Sequence, residues 1–189
     1  MAAPLEKRLT YRDLLRMPDD GPRYELIDGE AYIIPGPDAE HQELLGDLFV
    51  SFKQAAALGP AGTRVFIAPL DVVLADDTVL QPDLLVVAPA GSARIVRVVE
   101  GPPALAIEIL SPSSVRRDRG IKRATYARFG VGEHWLVDRV ARTIEVYRLE
   151  AGPQPAYRLE RIYGLGDVLT TPLLPELALD LAKLFATPV

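Results

Sequence analysis

At 189 residues the chain has the length of one domain, and its 49% hydrophobic content is enough to bury a core without staples. It has no cysteine and only two histidines, His41 and His134. That excludes disulfides, zinc–thiolate and iron–sulfur sites, thiol catalysis and a multi-histidine metal site within one chain, so any metal must rest on oxygen ligands, which suit Mg²⁺ or Mn²⁺. A net charge of −5 makes the chain a poor nonspecific nucleic-acid binder unless a local patch supplies the contact.

Met1–Thr10 has no apolar stretch behind its charges and does not read as a signal peptide. No run approaches the ~18 apolar residues of a membrane span. A soluble, cytoplasmic protein without membrane contact is expected. Leu9–Met17 reads as a short helix with Thr10 as N-cap, and Pro18–Pro22 as a break. Tyr24–Ile34 reads as a hairpin about Asp28-Gly29. Asp38–Leu58 is the first long helix, with Leu44, Leu45, Leu48, Phe52 and Ala55 on one stripe. Arg64–Leu74 (with Pro69 as a kink or bulge), Leu84–Val87 and Ala104–Leu110 follow as strands. The last two are nearly all apolar, as central strands are.

Val115–Phe129 is the second long helix, stopped by Gly130. It carries Arg116, Arg117, Arg119, Lys122, Arg123 and Arg128 against one acid, Asp118. Glu133–Val137, Thr143–Leu149 and Tyr157–Tyr163 read as strands, and the apolar tail Leu173–Phe185 packs back on the body. The order α-β-β-β-α-β predicts a mixed α/β domain over 1–189, core about 38–138, with a central mixed sheet flanked by helices, an N-terminal hairpin and a C-terminal β extension.

The informative residues are acids in apolar strands. Asp83 opens Leu84–Val87, and Glu108 lies inside Ala104–Leu110. A charge in a buried strand costs several kcal/mol unless it is paired or binds a metal. One such acid is explained by a salt bridge; two on neighbouring strands also suit a shared cation. Asp118, Lys122 and Tyr126 fall on one helix face. That face is either a solvated Asp–Lys pair or a lysine reaching the acids. Asp71 is either a third ligand or a buried acceptor, and Trp135 reads as a core aromatic.

Arg23-Tyr24-Glu25-Leu26-Ile27-Asp28-Gly29-Glu30, His41, Gln81-Pro82-Asp83, Glu108-Ile109-Leu110-Ser111-Pro112-Ser113, Asp118, Lys122, Tyr126, Gly130-Val131 and His134-Trp135-Leu136-Val137-Asp138 occur in that order. Together they resemble the Uma-type restriction endonuclease-like family of the PD-(D/E)XK nuclease superfamily, from about Tyr11 to Phe185. The resemblance implies a restriction endonuclease-like fold, an Mg²⁺- or Mn²⁺-dependent phosphodiesterase, and Asp83 and Glu108 as metal ligands. Leu110 stands where the superfamily's ExK lysine would be, and Lys122 matches the lysine that migrates to the following helix. Glu25 and His41 match family positions at the rim of such a site, as an outer carboxylate and a proton or phosphate partner. His41 reads equally as a helix-terminal histidine bonded locally.

Two functions follow as expectations. One is a metal-dependent endonuclease acting on nucleic acid, DNA first: Asp83, Glu108, Lys122, Glu25 and His41 form its catalytic set, and Arg116, Arg117, Arg119 and Arg123 contact phosphates. The other is a non-cleaving nucleic-acid-binding or protein-interaction module on the same fold, favoured by Leu110 and the overall acidity. A homodimer suits either on symmetry grounds. A glycosidase is disfavoured because aromatics are only 7% of the chain.

Overall fold

The computed structural model describes residues 8–18, 21–150 and 152–186. Most of Met1–Thr10, and Asp19 and Asp20 of the expected break, lie outside the described residues. A single helical turn α1 (Tyr11–Leu14), shorter than the expected Leu9–Met17, is capped by Thr10, whose side chain accepts from the Asp13 N–H. Strands β1 (Arg23–Ile27) and β2 (Glu30–Ile34) form the expected hairpin. Asp28 and Gly29 both have positive φ, 52° and 80°, as a two-residue primed turn requires. A Cβ on Gly29 would also come within 2.6 Å of Arg8, so glycine is needed twice over.

Helix α2 (Ala39–Leu58) begins where Asp38 accepts from the His41 N–H at 2.8 Å. Its buried residues are His41, Leu44, Leu45, Leu48, Phe52 and Ala55, the expected stripe extended by one turn toward its N-terminus.

The single strand expected over Arg64–Leu74 is two strands, β3 (Arg64–Ile67) and β4 (Val72–Ala75), in different sheets. Pro69 lies between them, and with no N–H it cannot continue a ladder. Then come β5 (Thr78–Leu80), β6 (Leu84–Val87), β7 (Arg94–Ile95), β8 (Val99–Glu100) and β9 (Leu105–Ile109). The second long helix is α3 (Val115–Arg117), a π turn (Asp118–Lys122) and α4 (Arg123–Phe129). It ends at Gly130, in the left-handed conformation. β10 (Glu133–Asp138), β11 (Thr143–Glu150), β12 (Ala156–Tyr163), β13 (Val168–Thr171), β14 (Leu174–Asp180) and α5 (Leu181–Leu184) complete the chain.

Two six-stranded mixed sheets result. One has the order β12-β11-β10-β9-β6-β3 and the other β2-β1-β5-β4-β8-β7; β13 and β14 form a separate ribbon. Strands β9 and β10 are parallel, with Val137 opposite Ile109, so both end at the same edge.

Period-2 alternation gives the central strands two distinct faces. Leu84, Val86, Leu105, Ile107, Ile109, Trp135 and Val137 point into one core with α2 and the C-terminal elements. Trp135 meets Phe52 edge-on at 5.5 Å between centroids and, as expected, is fully buried. On the other face Leu85 and Val87 pack against the second sheet, while Ala106 packs with Ile27, Leu80 and Tyr126. Glu108 alternates onto that second face.

Candidate active site

The register that sets Leu84 opposite Ile107 brings Asp83 alongside Glu108. Asp83 Oδ2 accepts from the Ile109 N–H at 2.7 Å, and its Oδ1 lies 3.0 Å from His41 Nε2. The π turn and α4 approach from the second face. Lys122 Nζ is 2.7 Å from Glu108 Oε1, 2.9 Å from Glu25 Oε1 and 3.8 Å from Asp118 Oδ1. The Tyr126 hydroxyl donates to the same Glu108 Oε1 at 2.7 Å. Glu25, on β1, also accepts from the Gln81 N–H at 2.9 Å. Glu25, Asp83, Glu108, His41, Asp118 and Lys122 thus converge on one cleft of about 520 Å³ at the end of the parallel pair.

The electrostatics are those of a buried, over-acidic site. Burial pushes the Glu108 carboxyl well above its usual range; Lys122 opposes this, and Asp118, Asp83 and Glu25 add to it. Burial likewise raises Asp118, with Lys122 again opposing. For Lys122, burial alone would favour the neutral amine. The carboxylates of Glu108, Glu25 and Asp118 outweigh it and hold the pKa above the usual lysine value. Lys122 is therefore an ammonium at any physiological pH, a fixed cation and donor and not a base.

The carboxylates of Glu25, Glu108 and Asp118 lie around this ammonium and Asp83 lines the same cleft, so the site keeps an excess of negative charge that a divalent cation would offset. Both donors to Glu108 use Oε1, and its Oε2 has no hydrogen-bond partner among the described residues. Among the described residues no group of three or more His, Asp or Glu side chains is set to hold a metal ion. Two acids with an open side fit Mg²⁺, which commonly takes one or two carboxylates and fills its remaining positions with water and phosphate oxygens.

Other sequence expectations separate here. Of the four arginines read as phosphate contacts, Arg117 lines the cleft, donating to the Ile33 carbonyl at 3.0 Å. Arg119 is held by Glu145 at 2.8 Å, Arg123 lies over the Tyr147 ring at 5.0 Å, and Arg116 is exposed. Asp71 accepts from Gln81 Nε2 and the Tyr11 hydroxyl. His134 lies away from the cleft, fully buried, its Nδ1 3.1 Å from the Ala106 carbonyl.

Two cleft arginines, Arg23 and Arg139, were not singled out from the sequence as site residues. For Arg139 the available signal was its place just past the C-terminal end of β10, beside the acid-bearing β9. It pairs with Asp38 at 2.6 Å.

The layered sheets and the carboxylate–lysine cleft at the end of a parallel strand pair define a restriction endonuclease-like α/β protein. The chain matches the model of the Uma2 family, "Putative restriction endonuclease", over residues 11–182, and it belongs to that family. Its fold is similar to a crystal structure of a "putative nuclease belonging to DUF820" from Anabaena variabilis, with a TM-score of 0.75 and 24% identity, covering 94% of this chain and 98% of that one. No curated protein matches the chain. Among the described residues no helix is long and apolar enough to cross a membrane.

Proposed function

We propose that this protein is a divalent-metal-dependent nuclease of the cytoplasm that hydrolyses phosphodiester bonds in nucleic acid, DNA first. The observation that carries the reading is the convergence of Glu108, Glu25 and Asp118 on Lys122, with Asp83 lining the same cleft. Family membership and the neighbour's description as a nuclease support it.

Asp83 and Glu108 would hold Mg²⁺ or Mn²⁺. When bound, the ion supplies Lewis-acid polarisation of the phosphate and a lowered pKa for a bound water. Lys122 and Tyr126 together fix Glu108 Oε1 and leave Oε2 for the cleft. Lys122, as an ammonium, offsets charge that develops on the phosphate. Its two short bonds to buried acids make it a structural cation as well, so Lys122→Ala should lower stability along with turnover. Arg117, Arg139 and Arg23 stand at the walls for backbone phosphates. His41, oriented by Asp83, is the titratable group left for proton transfer.

The test is a cleavage time course on duplex and single-stranded DNA and RNA, with Mg²⁺, Mn²⁺ or EDTA. Metal-dependent cleavage that Asp83→Asn and Glu108→Gln each reduce at least about 10²-fold is the expected result, by analogy with loss of one transition-state contact. No cleavage of any substrate, with no thermal shift at millimolar Mn²⁺, would overturn it. The non-cleaving module, favoured by the two-acid donor set, would then stand.

A further inference from the structure

Gln81 stands where the chain crosses between the sheets, after β5 of one and before β6 of the other. It lines the cleft together with Asp83, Glu108 and Glu25. Its donors are all directed inward. The backbone N–H goes to Glu25 Oε1 at 2.9 Å, and Nε2 goes to Asp71 Oδ1 at 2.7 Å. The Tyr11 hydroxyl donates to the other oxygen of Asp71 at 3.2 Å, so the carboxylate that holds the amide is itself held.

The amide oxygen is different. Oε1 of Gln81 is buried and accepts from no donor. Turning the amide over would not help, because it would set Oε1 against the Asp71 carboxylate. Among the described residues this is the one buried side-chain oxygen left in that state; the other orphaned atoms, in Arg117, His134 and Arg148, are nitrogens. Such an acceptor costs stability unless something in the working protein fills it.

The chemistry of the atom says what would fill it. The bond to Asp71 polarises the amide and moves electron density onto Oε1. An electron-rich carbonyl oxygen is a hard ligand, of the kind divalent cations take from glutamine side chains. A metal–oxygen bond of ~2.1 Å also reaches into a space too tight for a water, which sits at ~2.8 Å. A carboxylate behind the donor, fixing its orientation, is what the outer shell of a metal site supplies. Asp71, one candidate for a third ligand from the sequence, is not among the residues that line the cleft. Resting on the metal site of the reading above, we propose that Gln81 Oε1 is its third protein oxygen, beside Asp83 and Glu108, and that Asp71 and Tyr11 aim it.

The test reads metal binding and not cleavage. Isothermal titration gives the Mn²⁺ affinity. The rise in melting temperature with Mn²⁺ is taken against each variant's own metal-free value, so a change in basal stability cancels. Gln81→Met keeps the length and loses the oxygen. It should weaken Mn²⁺ binding at least about tenfold and shrink the thermal shift. Gln81→Glu keeps an oxygen but sets a second carboxylate against Asp71. It should lower the metal-free melting temperature and still bind Mn²⁺ at least as tightly as the wild type. A merely structural role would make both variants lose affinity together. Asp71→Asn, which frees the amide to turn over, should weaken Mn²⁺ binding by a smaller factor than Gln81→Met. In the ¹⁵N-labelled wild type, Mg²⁺ should move the Gln81 side-chain amide resonances, a measurement that needs no variant to fold.

Weakening of less than about tenfold in Gln81→Met, an equal loss in Gln81→Glu, or Gln81 amide resonances unmoved by saturating Mg²⁺ would each overturn the proposal. The nuclease reading fails separately. Mn²⁺ binding that depends on Gln81, with no cleavage of any nucleic acid, keeps the ligand and removes the nuclease. Metal-dependent cleavage with an affinity indifferent to Gln81 does the reverse.

Discussion

Strands β9 and β10 present two faces to two environments. Toward α2, Leu105, Ile107, Ile109, Trp135 and Val137 interlock with Leu48 and Phe52 in an apolar core. Toward the π turn, the same strands offer Ala106, Glu108 and His134, and the contacts become hydrogen bonds and ion pairs. Both faces are equally dry: Glu108 is only 4% exposed and His134 is fully buried. The apolar face is built for stability, because every atom removed from water there contributes. The polar face retains desolvated charge that well-packed apolar residues would replace at no loss of stability. Such an arrangement persists where function needs it.

The largest effects should come from removing a partner on either face. Phe52→Ala leaves a cavity under Trp135 and should cost about 3–5 kcal/mol. Lys122→Met should cost a similar amount, about 3–5 kcal/mol, because it strands Glu25, Glu108 and Asp118 without their cation. The two losses separate with pH. Phe52→Ala should be equally costly at pH 5 and pH 8, while Lys122→Met should be milder at pH 5, where the raised carboxyls of Glu108 and Asp118 take up protons. Chemical denaturation at both pH values reads this out, and equal costs for Lys122→Met would remove the distinction between the faces.

The faces should also respond oppositely to a neutral isostere. Glu108 keeps its proton in the folded state to a pH above its usual value. Stability therefore falls as pH rises from the ordinary carboxyl value of 4.5 toward the raised one. Glu108→Gln removes that slope, so in EDTA at pH 8 it should raise stability by about 1–3 kcal/mol, where any core truncation lowers it. A lower melting temperature for Glu108→Gln in EDTA at pH 8 would contradict the picture of a face held at a cost.

His134 gives a third comparison. Burial lowers its pKa to about 3, against the bond to the Ala106 carbonyl and with help from Lys122 and Arg123. Between pH 6.5 and about 3 the unfolded chain takes up a proton that the folded one refuses, so stability is lost as pH falls through that window. Each pH unit in it is worth about 1.4 kcal/mol. His134→Phe should flatten this limb of the stability–pH curve whatever its effect at neutral pH. An unchanged limb would place the acid sensitivity elsewhere.

The two faces were unequally legible in the sequence. The strands of the central sheet and the stripe on α2 were readable because apolar residues repeat at the right period. The second sheet was largely not: β5, β7 and β8 are three, two and two residues long, too short for any period. Pro69 marked a kink, but nothing local shows that the chain changes sheets there. Asp83, Glu108 and Lys122 stood out as charges in apolar surroundings or on a matching helix face, Glu25 only through the family resemblance, and the structure does bring them together. Tyr126 was legible on the helix face of Lys122, but its bond to Glu108 and the π turn around Gly120 were not. The basic run on the second helix was misleading for the opposite reason. Its spacing was visible, but the commitment of Arg119 to Glu145 and of Arg123 to Tyr147 depends on β11 lying alongside.

The smallest expected effect lies where the faces meet. Asp38 caps α2, whose stripe fills the apolar core, and pairs with Arg139 at the cleft. The Arg139 guanidinium, then the His41 N–H, hold its carboxyl at about 2, so its stabilising contribution is present above the usual value of 3.8 and lost as pH falls through about 2. The side chain is 60% exposed, which leaves the ion pair screened and weak. The cap should dominate: Asp38→Ala should cost about 1 kcal/mol, while Asp38→Asn, which keeps a capping oxygen and loses the charge, should cost a few tenths. Raising salt should shrink the Asn difference and leave most of the Ala loss. If Asn and Ala were equally costly at low salt and both recovered at high salt, the tie to the cleft arginine would be what fixes the start of α2, and the apolar face would depend on the polar one.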